Sequence, residues 1–378
     1  MTSQERHQAR YLRRKAKREA KRAERMREFD DFDKVFSFEH LWKAYRKCVC
    51  GVGWKASTQK YRNTPISNIA YTYIRLKGGT YKSKGFYSFT IIERGKVRHI
   101  KSVHISERVV QRCLCDFSLI PAFTPTLIHD NGACMKGKGI DFAKDRLNCH
   151  LQRYYRDHQS NEGYALVTDF SSYFDGILHE KLEEIVMKEY SDRRIISLYM
   201  HFVNMFGDVG LGLGSQISQI SAIRYPNELD HAIKTTLAVR YYARYNDDSY
   251  LISESKEHLR HCLKAIEKIC GSLGIRLNRK KTQIVKLGRG IPYLKQRTLL
   301  TETGEVLRLP KKDNTRRMRR KLKTFARWLV VGRITLDEVR GSYQSWRSHL
   351  IRSNAELRLR AMDKQFNKIV KENKNGSI

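Results

Sequence analysis

Three carboxylates in two short segments are the residues of this chain best suited to chemistry. Asp247 and Asp248 are adjacent in Tyr241-Tyr-Ala-Arg-Tyr-Asn-Asp-Asp-Ser-Tyr-Leu-Ile252, at the polar centre between two β-favouring runs. That pattern predicts a strand, a tight turn and a returning strand. Neighbouring carboxylates between buried strands are costly unless something neutralises them, and a divalent cation does so best. Asp is also a common turn residue, so the pair alone points only weakly to a site. Asp169 strengthens it. In Tyr164-Ala-Leu-Val-Thr-Asp169-Phe-Ser-Ser-Tyr-Phe174-Asp175-Gly-Ile177 the apolar run Ala165 to Val167 carries Asp169 at its end, ahead of a Ser-Ser turn and an amphipathic segment from about Leu178. A strand delivering one Asp at its tip and a hairpin delivering two can gather all three around shared metal. Two ions about 3.5–4 Å apart, held this way, stabilise the attacking and leaving oxygens of a phosphoryl displacement. Oxygen-only ligands without a neighbouring His favour Mg²⁺, with Mn²⁺ the other fit, over zinc.

These segments resemble the palm of the reverse transcriptases, where Y-x-D-D and an upstream D-x-x-x-x-[F/Y] carry the metals. Tyr245-Asn246-Asp247-Asp248 and Asp169 with Phe174 match residue by residue. The resemblance implies an α+β right-hand polymerase fold with fingers, an antiparallel-sheet palm and a helical thumb. It implies that Asp169, Asp247 and Asp248 are catalytic and hold two Mg²⁺ ions, and that Tyr245 lies in the nucleotide site. Phe174 then takes the place of the aromatic that lies under the sugar and excludes a 2′-hydroxyl, selecting deoxynucleotides; by periodicity alone it is a core aromatic. Asn246 is a less usual occupant of the variable position and bears on fine substrate tuning.

The whole-chain balance agrees with a nucleic-acid partner. The 378 residues suffice for two or three packed subdomains. Lys and Arg number 74 against 39 Asp and Glu, a net charge of +35, and such an excess calls for a polyanion. A basic membrane-surface protein is the competing class. No apolar run reaches the ~20 residues needed to span a bilayer and no signal-peptide pattern is present, so the expectation is a soluble, cytoplasmic protein of a prokaryote, without a membrane partner. Cys48-Val-Cys50 and Cys113-Leu-Cys115 are not C-x-x-C, and no His spacing completes a zinc site; reduced, mostly buried thiols are expected, and a knuckle of Cys115, Cys134 and Cys149 is not.

The elements that must position the carboxylates follow in order. Residues 2 to 28 read as one basic helix opened by the capping box Thr2-Ser-Gln-Glu5, an RNA-clamping arm with Arg13 and Arg14 among its contacts. Asp30, Asp31 and Asp33 reverse the charge and suggest a linker, so 1–35 is an extension. Fingers are assigned to 36–160: helices over Phe36 to Lys47 and Asn68 to Leu76, a hairpin from Gly85 to Ile100 turning at Arg94-Gly95, a helix from Ser106 stopped by Pro121, and a helix from Asp141 to Arg156. The hairpin is similar to the fingers hairpin of bacterial reverse transcriptases. Arg98, then Lys96, is the implied contact to the incoming triphosphate. Lys138 in a Gly-Lys-Gly loop resembles the third fingers block and could meet phosphate, although this is no P-loop.

The palm is placed at 161–303. Gly214-Ser-Gln-Ile-Ser218-Gln219 gives G-x-x-x-S-Q, which resembles diversity-generating, abortive-infection and related bacterial enzymes in place of Q-G-x-x-x-S-P. Its small residues let backbone approach a base pair or template, and the family places Gln219 at the base-pair pocket. A helix is expected from Ser215 to Ile233, kinked at Pro226, and another from Ser255 to Leu273. Leu277-Asn-Arg-Lys-Lys281-Thr282 resembles L-x-x-x-K-T, which implies that Lys281 stands near the triphosphate leaving group as a general acid. Gly290-Ile-Pro-Tyr293-Leu294-Lys295 occupies the primer-grip position without the usual Gly after Leu. The thumb is 304–372, with helices over about Arg316 to Leu329, Leu336 to Leu350 (capped by Thr335 and Glu338) and Ala355 to Val370. Ser345-Trp346-Arg-Ser348-His349 resembles S-W-x-G-H, so Trp346 joins the nucleic-acid contacts. Lys371 to Ile378 is expected to fray, 373–378 being the tail, and no endonuclease, integrase or RNase H block is expected.

Taken together, the resemblance implies an RNA-directed DNA polymerase that makes cDNA from dNTPs on a dedicated structured noncoding RNA. An anti-phage defence role is preferred over a diversity-generating one because the basic arm and altered thumb depart from the compact pattern. An accessory protein or a second copy of the chain stays open as a partner. Two other classes remain: a nucleotidyl transferase that extends ends or a protein side chain without a template, and an inactive RNA-binding scaffold. Intact carboxylates at all three positions argue against the scaffold.

Overall fold

The computed structural model describes residues 3–93 and 96–375. The capping box that includes Thr2, the hairpin turn at Arg94-Gly95 and the end of the tail lie outside the described residues. Nine strands form three sheets among the described residues, all antiparallel within each sheet. They are β1 (Phe86–Glu93), β2 (Lys96–Val103), β3 (Tyr164–Asp169), β4 (Tyr241–Tyr245), β5 (Asp248–Ser253), β6 (Gln283–Lys286), β7 (Ile291–Tyr293), β8 (Gln296–Leu300) and β9 (Val306–Pro310). With helices making up most of the remaining elements, the α+β class and the antiparallel sheet are as expected. No helix among the described residues is long and apolar enough to cross a membrane.

The chain divides into two compact units. The first comprises residues 1–136, 170–232 and 266–276. Its amino-terminal helix runs from Ser3 to Phe29, and the acidic run after it is not a linker. Asp30 accepts hydrogen bonds from the backbone amides of Ser191 and Asp192, both at 2.8 Å, while Asp192 accepts one from the amide of Phe32 at 2.8 Å. Asp33 pairs with Lys77 and with Arg194. Asp30 and Asp192 each satisfy amides at the start of another helix, where the helix dipole also favours negative charge. The acidic run is therefore a clasp, and Met26 is buried beside it.

Pro121 does not stop its helix. The helix Ile105–Leu114 passes through a π-helical stretch, Cys115–Leu119, into Ile120–Phe123. The wider turn, in which Ile120 bonds back to Cys115, lets the chain absorb a residue that has no amide hydrogen to give. At Pro226 the single kinked helix expected over Ser215 to Ile233 is instead broken in two, Gln216–Arg224 and Asn227–Thr235, because Pro has no amide to carry the ladder across.

The second unit comprises residues 137–169, 233–265 and 277 onward. Its four-stranded sheet has the order β4-β5-β3-β6. Strand β3 is central and buried on both faces, which its near-continuous apolar run requires. The helix Ile140–His158 lays Ala143, Leu147, Leu151 and Tyr154 against Ala165 and Val167 of β3 and Tyr241, Ala243, Tyr250 and Ile252 of β4 and β5. Each fully buried aliphatic side chain here stabilises by about 1.5–3 kcal/mol. Strands β7 to β9 form the third sheet, and the β7–β8 turn holds Leu294 and Lys295 at φ +46° and +65°. The missing Gly thus leaves two side chains in the left-handed region, a local strain of order 1–2 kcal/mol that the flanking pairing sustains.

Three carboxy-terminal helices, Lys312–Val330, Leu336–Leu350 and Glu356–Asn375, enclose Met318, Leu322, Phe325, Val339, Tyr343, Met362 and Ile369. The Thr335–Glu338 capping box is present. The last helix continues to Asn375, past the expected fraying point at Lys371. Of the eight cysteines, Cys113, Cys115, Cys262 and Cys270 are buried, whereas Cys50 and Cys134 are exposed.

Candidate active site

Asp169 is the last residue of β3 and pairs directly with Asp248, the first residue of β5. Tyr245 pairs with Asp248 to close the two-residue turn Asn246-Asp247. Strand register thus sets Asp169 and Asp248 opposite each other with Asp247 one residue away, all in the second unit. The turn needs Asn246 at φ +52°, a conformation that Asn tolerates better than most residues, which gives its presence at the variable position a backbone reason. Asn246→Gly should therefore leave thermal stability near wild type. Asn246→Val should cost about 1–2 kcal/mol and misplace Asp247, which a melting curve and an incorporation assay check together.

The cluster carries negative charge that the protein only partly offsets. Asp169 is 4% exposed. Burial pushes the Asp248 carboxyl well above the usual carboxylate range, and the charges of Asp247 and Asp169 and a hydrogen bond with Asp169 push it further; Lys281 opposes. Asp247 is raised first by burial and then by Asp169, against its own backbone amide, Lys281 and Arg244. Lys281 donates a 2.6 Å hydrogen bond to Asp169 Oδ2, and that bond holds its ammonium above the usual lysine range. Among the described residues no group of three His, Cys, Asp or Glu side chains is drawn together as a metal cage. The Lys281 ammonium beside Asp169 offsets part of their charge instead. The donor set is nonetheless all oxygen, half-buried and incompletely neutralised, and so fits a hard divalent cation.

Three supporting features were not read from the sequence. Arg244 of β4 is completely buried and donates to the Asn246 carbonyl at 3.1 Å, placing a permanent cation beneath the turn. Thr168 and Ser249, the next pair along β3 and β5, share a 2.6 Å hydrogen bond. His150 bonds through Nδ1 to the Tyr250 hydroxyl at 2.9 Å, tying the helix Ile140–His158 to β5. An Arg inside an aromatic strand was the available signal for the first; the others needed tertiary pairing.

The remaining candidates are distributed as follows. In the second unit, Lys138 lies two residues before the helix Ile140–His158 with its ammonium 5.1 Å from the Phe142 ring centroid. Trp346 packs half-buried against the cluster of three carboxy-terminal helices, 5.6 Å from the Tyr343 ring, with its indole N–H buried and unpartnered.

In the first unit, Phe174 opens a short 3-10 turn, half-exposed, and its carbonyl accepts from the Leu211 amide at 2.7 Å. Arg98 is half-buried on β2 opposite Ile91, and Lys96 begins that strand. Gln219 and Gly214 are exposed, Ser218 is buried, and Arg13 and Arg14 are exposed on the amino-terminal helix. The glycines meet protein: a Cβ on Gly210 would come within 2.9 Å of the Asp175 carbonyl, and one on Gly214 within 3.2 Å of that of Lys101. Both have φ in the left-handed region, +88° and +110°. Leu213 also bridges to Ile100, so this loop ties down the base of the β1–β2 hairpin.

A family model described as reverse transcriptase (RNA-dependent DNA polymerase) matches residues 82–321, more than half of the chain and inclusive of Asp169, Asp247 and Asp248. No curated protein matches the sequence. Among solved structures, the chain is similar to a telomerase from Candida albicans in complex with a fragment of telomeric RNA, at 13% identity and a TM-score of 0.45, over 75% of this chain and 54% of that one. An apo telomerase from Candida tropicalis truncated from its C-terminal domain matches at 14% identity and 0.44, over 65% and 60%. The chain thus spans a little over half the length of these structures.

Proposed function

The chain belongs to the reverse transcriptase family, with an α+β right-hand polymerase fold, and from that premise we propose that it is an active polymerase that copies RNA into DNA. The observation that carries the proposal is the pairing of Asp169 with Asp248 beside Asp247, a half-buried acidic cluster at strand ends. These three residues would hold magnesium, or manganese, which when bound supplies Lewis-acid stabilisation of the attacking and leaving oxygens in nucleotidyl transfer. Arg244 fixes the turn that presents Asp247 and Asp248. Lys281, already charged beside Asp169, is the proton donor and counter-charge for the triphosphate leaving group. Arg98 adds charge on the triphosphate, Gln219 shapes the base-pair pocket, and Phe174 excludes a 2′-hydroxyl.

The template proposed is a dedicated structured RNA, and the cellular role bacterial anti-phage defence in the cytoplasm; the G-x-x-x-S-Q motif at Gly214–Gln219 supports this reading. The test is incorporation by the purified chain with an RNA template and each dNTP, joined to sequencing of the copurifying RNA and its DNA product. Product complementary to one noncoding RNA is expected. Incorporation of one or two nucleotides without RNA would replace the proposal with template-independent transfer, and a product templated by a repeat beside a variable gene would replace the defence role. Phe174→Ala should leave dNTP use within about tenfold and raise rNTP use by about 10-fold or more, since removing a steric clash is worth roughly 1–3 kcal/mol; competing rNTPs against dNTPs in a primer-extension assay reads this out.

A further inference from the structure

The amino-terminal helix, outside the region matched by the family model, carries a single-sign stripe that the polymerase reading does not use. Arg6, Arg10, Arg13, Lys17 and Lys21 recur at spacings of four, three, four and four residues within the helix Ser3–Phe29, and all five are exposed. At 100° per residue they fall on one face about 80° wide, and at 1.5 Å per residue the stripe is about 22 Å long. Exposed Arg14 flanks it. Glu19 stands on another face, so the stripe carries no intervening acid.

This arrangement opposes the helix that bears it. Like charges three and four residues apart destabilise a helix by about 0.2–0.5 kcal/mol per pair. The helix is fixed instead at its other end: Arg22 pairs with Glu189 at 2.7 Å, Met26 is buried, the Phe29 carbonyl accepts from Ser118 at 2.7 Å, and the Asp30 clasp follows. The result is a cationic helical edge anchored at one end.

We propose that this stripe docks the sugar–phosphate backbone of a double-helical RNA segment, a contact separate from the carboxylate site and resting on the polymerase reading only for RNA being the polyanion. Three features select this occupant. The stripe contains no aromatic side chain on which unpaired bases could stack, the feature that marks single-strand binders. Double-stranded RNA is bound through shape and backbone contacts, which a straight row of cations supplies. The apolar flank beside it, Ala9, Leu12, Ala16, Ala20 and Ala23, has one large apolar residue, too little to bury in a lipid surface.

The test uses the full chain with Arg6, Arg10, Arg13, Lys17 and Lys21 all changed to Gln, which keeps helix propensity, checked by circular dichroism. Equilibrium binding is measured without magnesium or nucleotides against a blunt 20-base-pair RNA duplex and an unstructured single strand of the same length, over a salt series. Duplex affinity should fall by about 10²-fold or more near 0.1 M salt, and the slope of log affinity on log salt by about four, as five phosphate contacts are lost. Single-strand affinity should fall by less than about fivefold. Unchanged duplex affinity, or equal loss on both RNAs, overturns the proposal; so does loss confined to binding of anionic phospholipid vesicles. Because no nucleotide is present, duplex-specific loss in the variant together with a wild-type chain that fails to polymerise would sink the polymerase reading and leave this one standing.

Discussion

Asp247→Asn is expected to incorporate no measurable nucleotide, a loss of at least about 10³-fold, while its affinity for RNA stays within about twofold of wild type. Holding a metal that stabilises transition-state charge is worth several kcal/mol, and each 1.36 kcal/mol is tenfold in rate. The same substitution should raise the melting temperature of the metal-free protein. Burial and Asp169 both disfavour the charged form of Asp247, and a neutral amide removes that repulsion without changing side-chain volume. The pH dependence has a definite sign. Asp247 and Asp248 have folded-state values above their unfolded ones, so their contribution to stability is fully present below the unfolded value and is lost as pH rises through the folded one. Metal-free wild type should therefore lose stability as pH rises above about 4, less steeply in Asp247→Asn, and magnesium should restore it in wild type more than in the variant. Scanning calorimetry with and without magnesium across that range checks the pattern; normal incorporation by Asp247→Asn would dismantle the palm assignment.

The parts of this site legible in the sequence are those governed by short-range rules. Two β-favouring runs around the polar Asn246-Asp247-Asp248 mark a hairpin, and the apolar run before Asp169 marks a buried strand. Strand period then puts each Asp at a strand end, and antiparallel pairing finishes the placement. The helix start marked by Thr335 with Glu338 is equally legible because the signal and the element share one turn of chain.

What escaped depended on partners far away in sequence. The Asp30–Asp33 run looks like a charge boundary; only its pairing with Ser191, Asp192 and Arg194 makes it a clasp. A place in an aromatic strand does not by itself mark Arg244 for burial, yet complete burial makes it a fixed cation under the Asn246-Asp247 turn. Pro121 carries a stop signal that a π-helical stretch bypasses. Gly214 reads as a close-approach residue, and it is, but the approached group is the Lys101 carbonyl, as that of Asp175 is for Gly210. Local sequence encodes that a backbone must come close; it does not encode to what.

Lys281→Ala should move turnover and metal affinity in opposite directions. Its ammonium sits 2.6 Å from Asp169 Oδ2, on a carboxylate that a cation also requires, so lysine and cation compete for one ligand. Removing the lysine should strengthen manganese binding to the nucleotide-free protein by a few-fold, a modest gain because the side chain is 59% exposed and solvent screens the pair. Turnover should nevertheless fall by about 10²–10⁴-fold, the range expected for losing a positioned general acid. Lys281→Arg keeps the charge but gives up its proton far less readily, so it should restore the wild-type manganese affinity and recover turnover only in part. Manganese titration by electron paramagnetic resonance, set beside single-turnover incorporation, separates these effects. A Lys281→Ala protein that polymerises at the wild-type rate would remove Lys281 from the chemistry, and one that binds manganese more weakly would mean that the lysine organises Asp169 for the cation instead of competing with it.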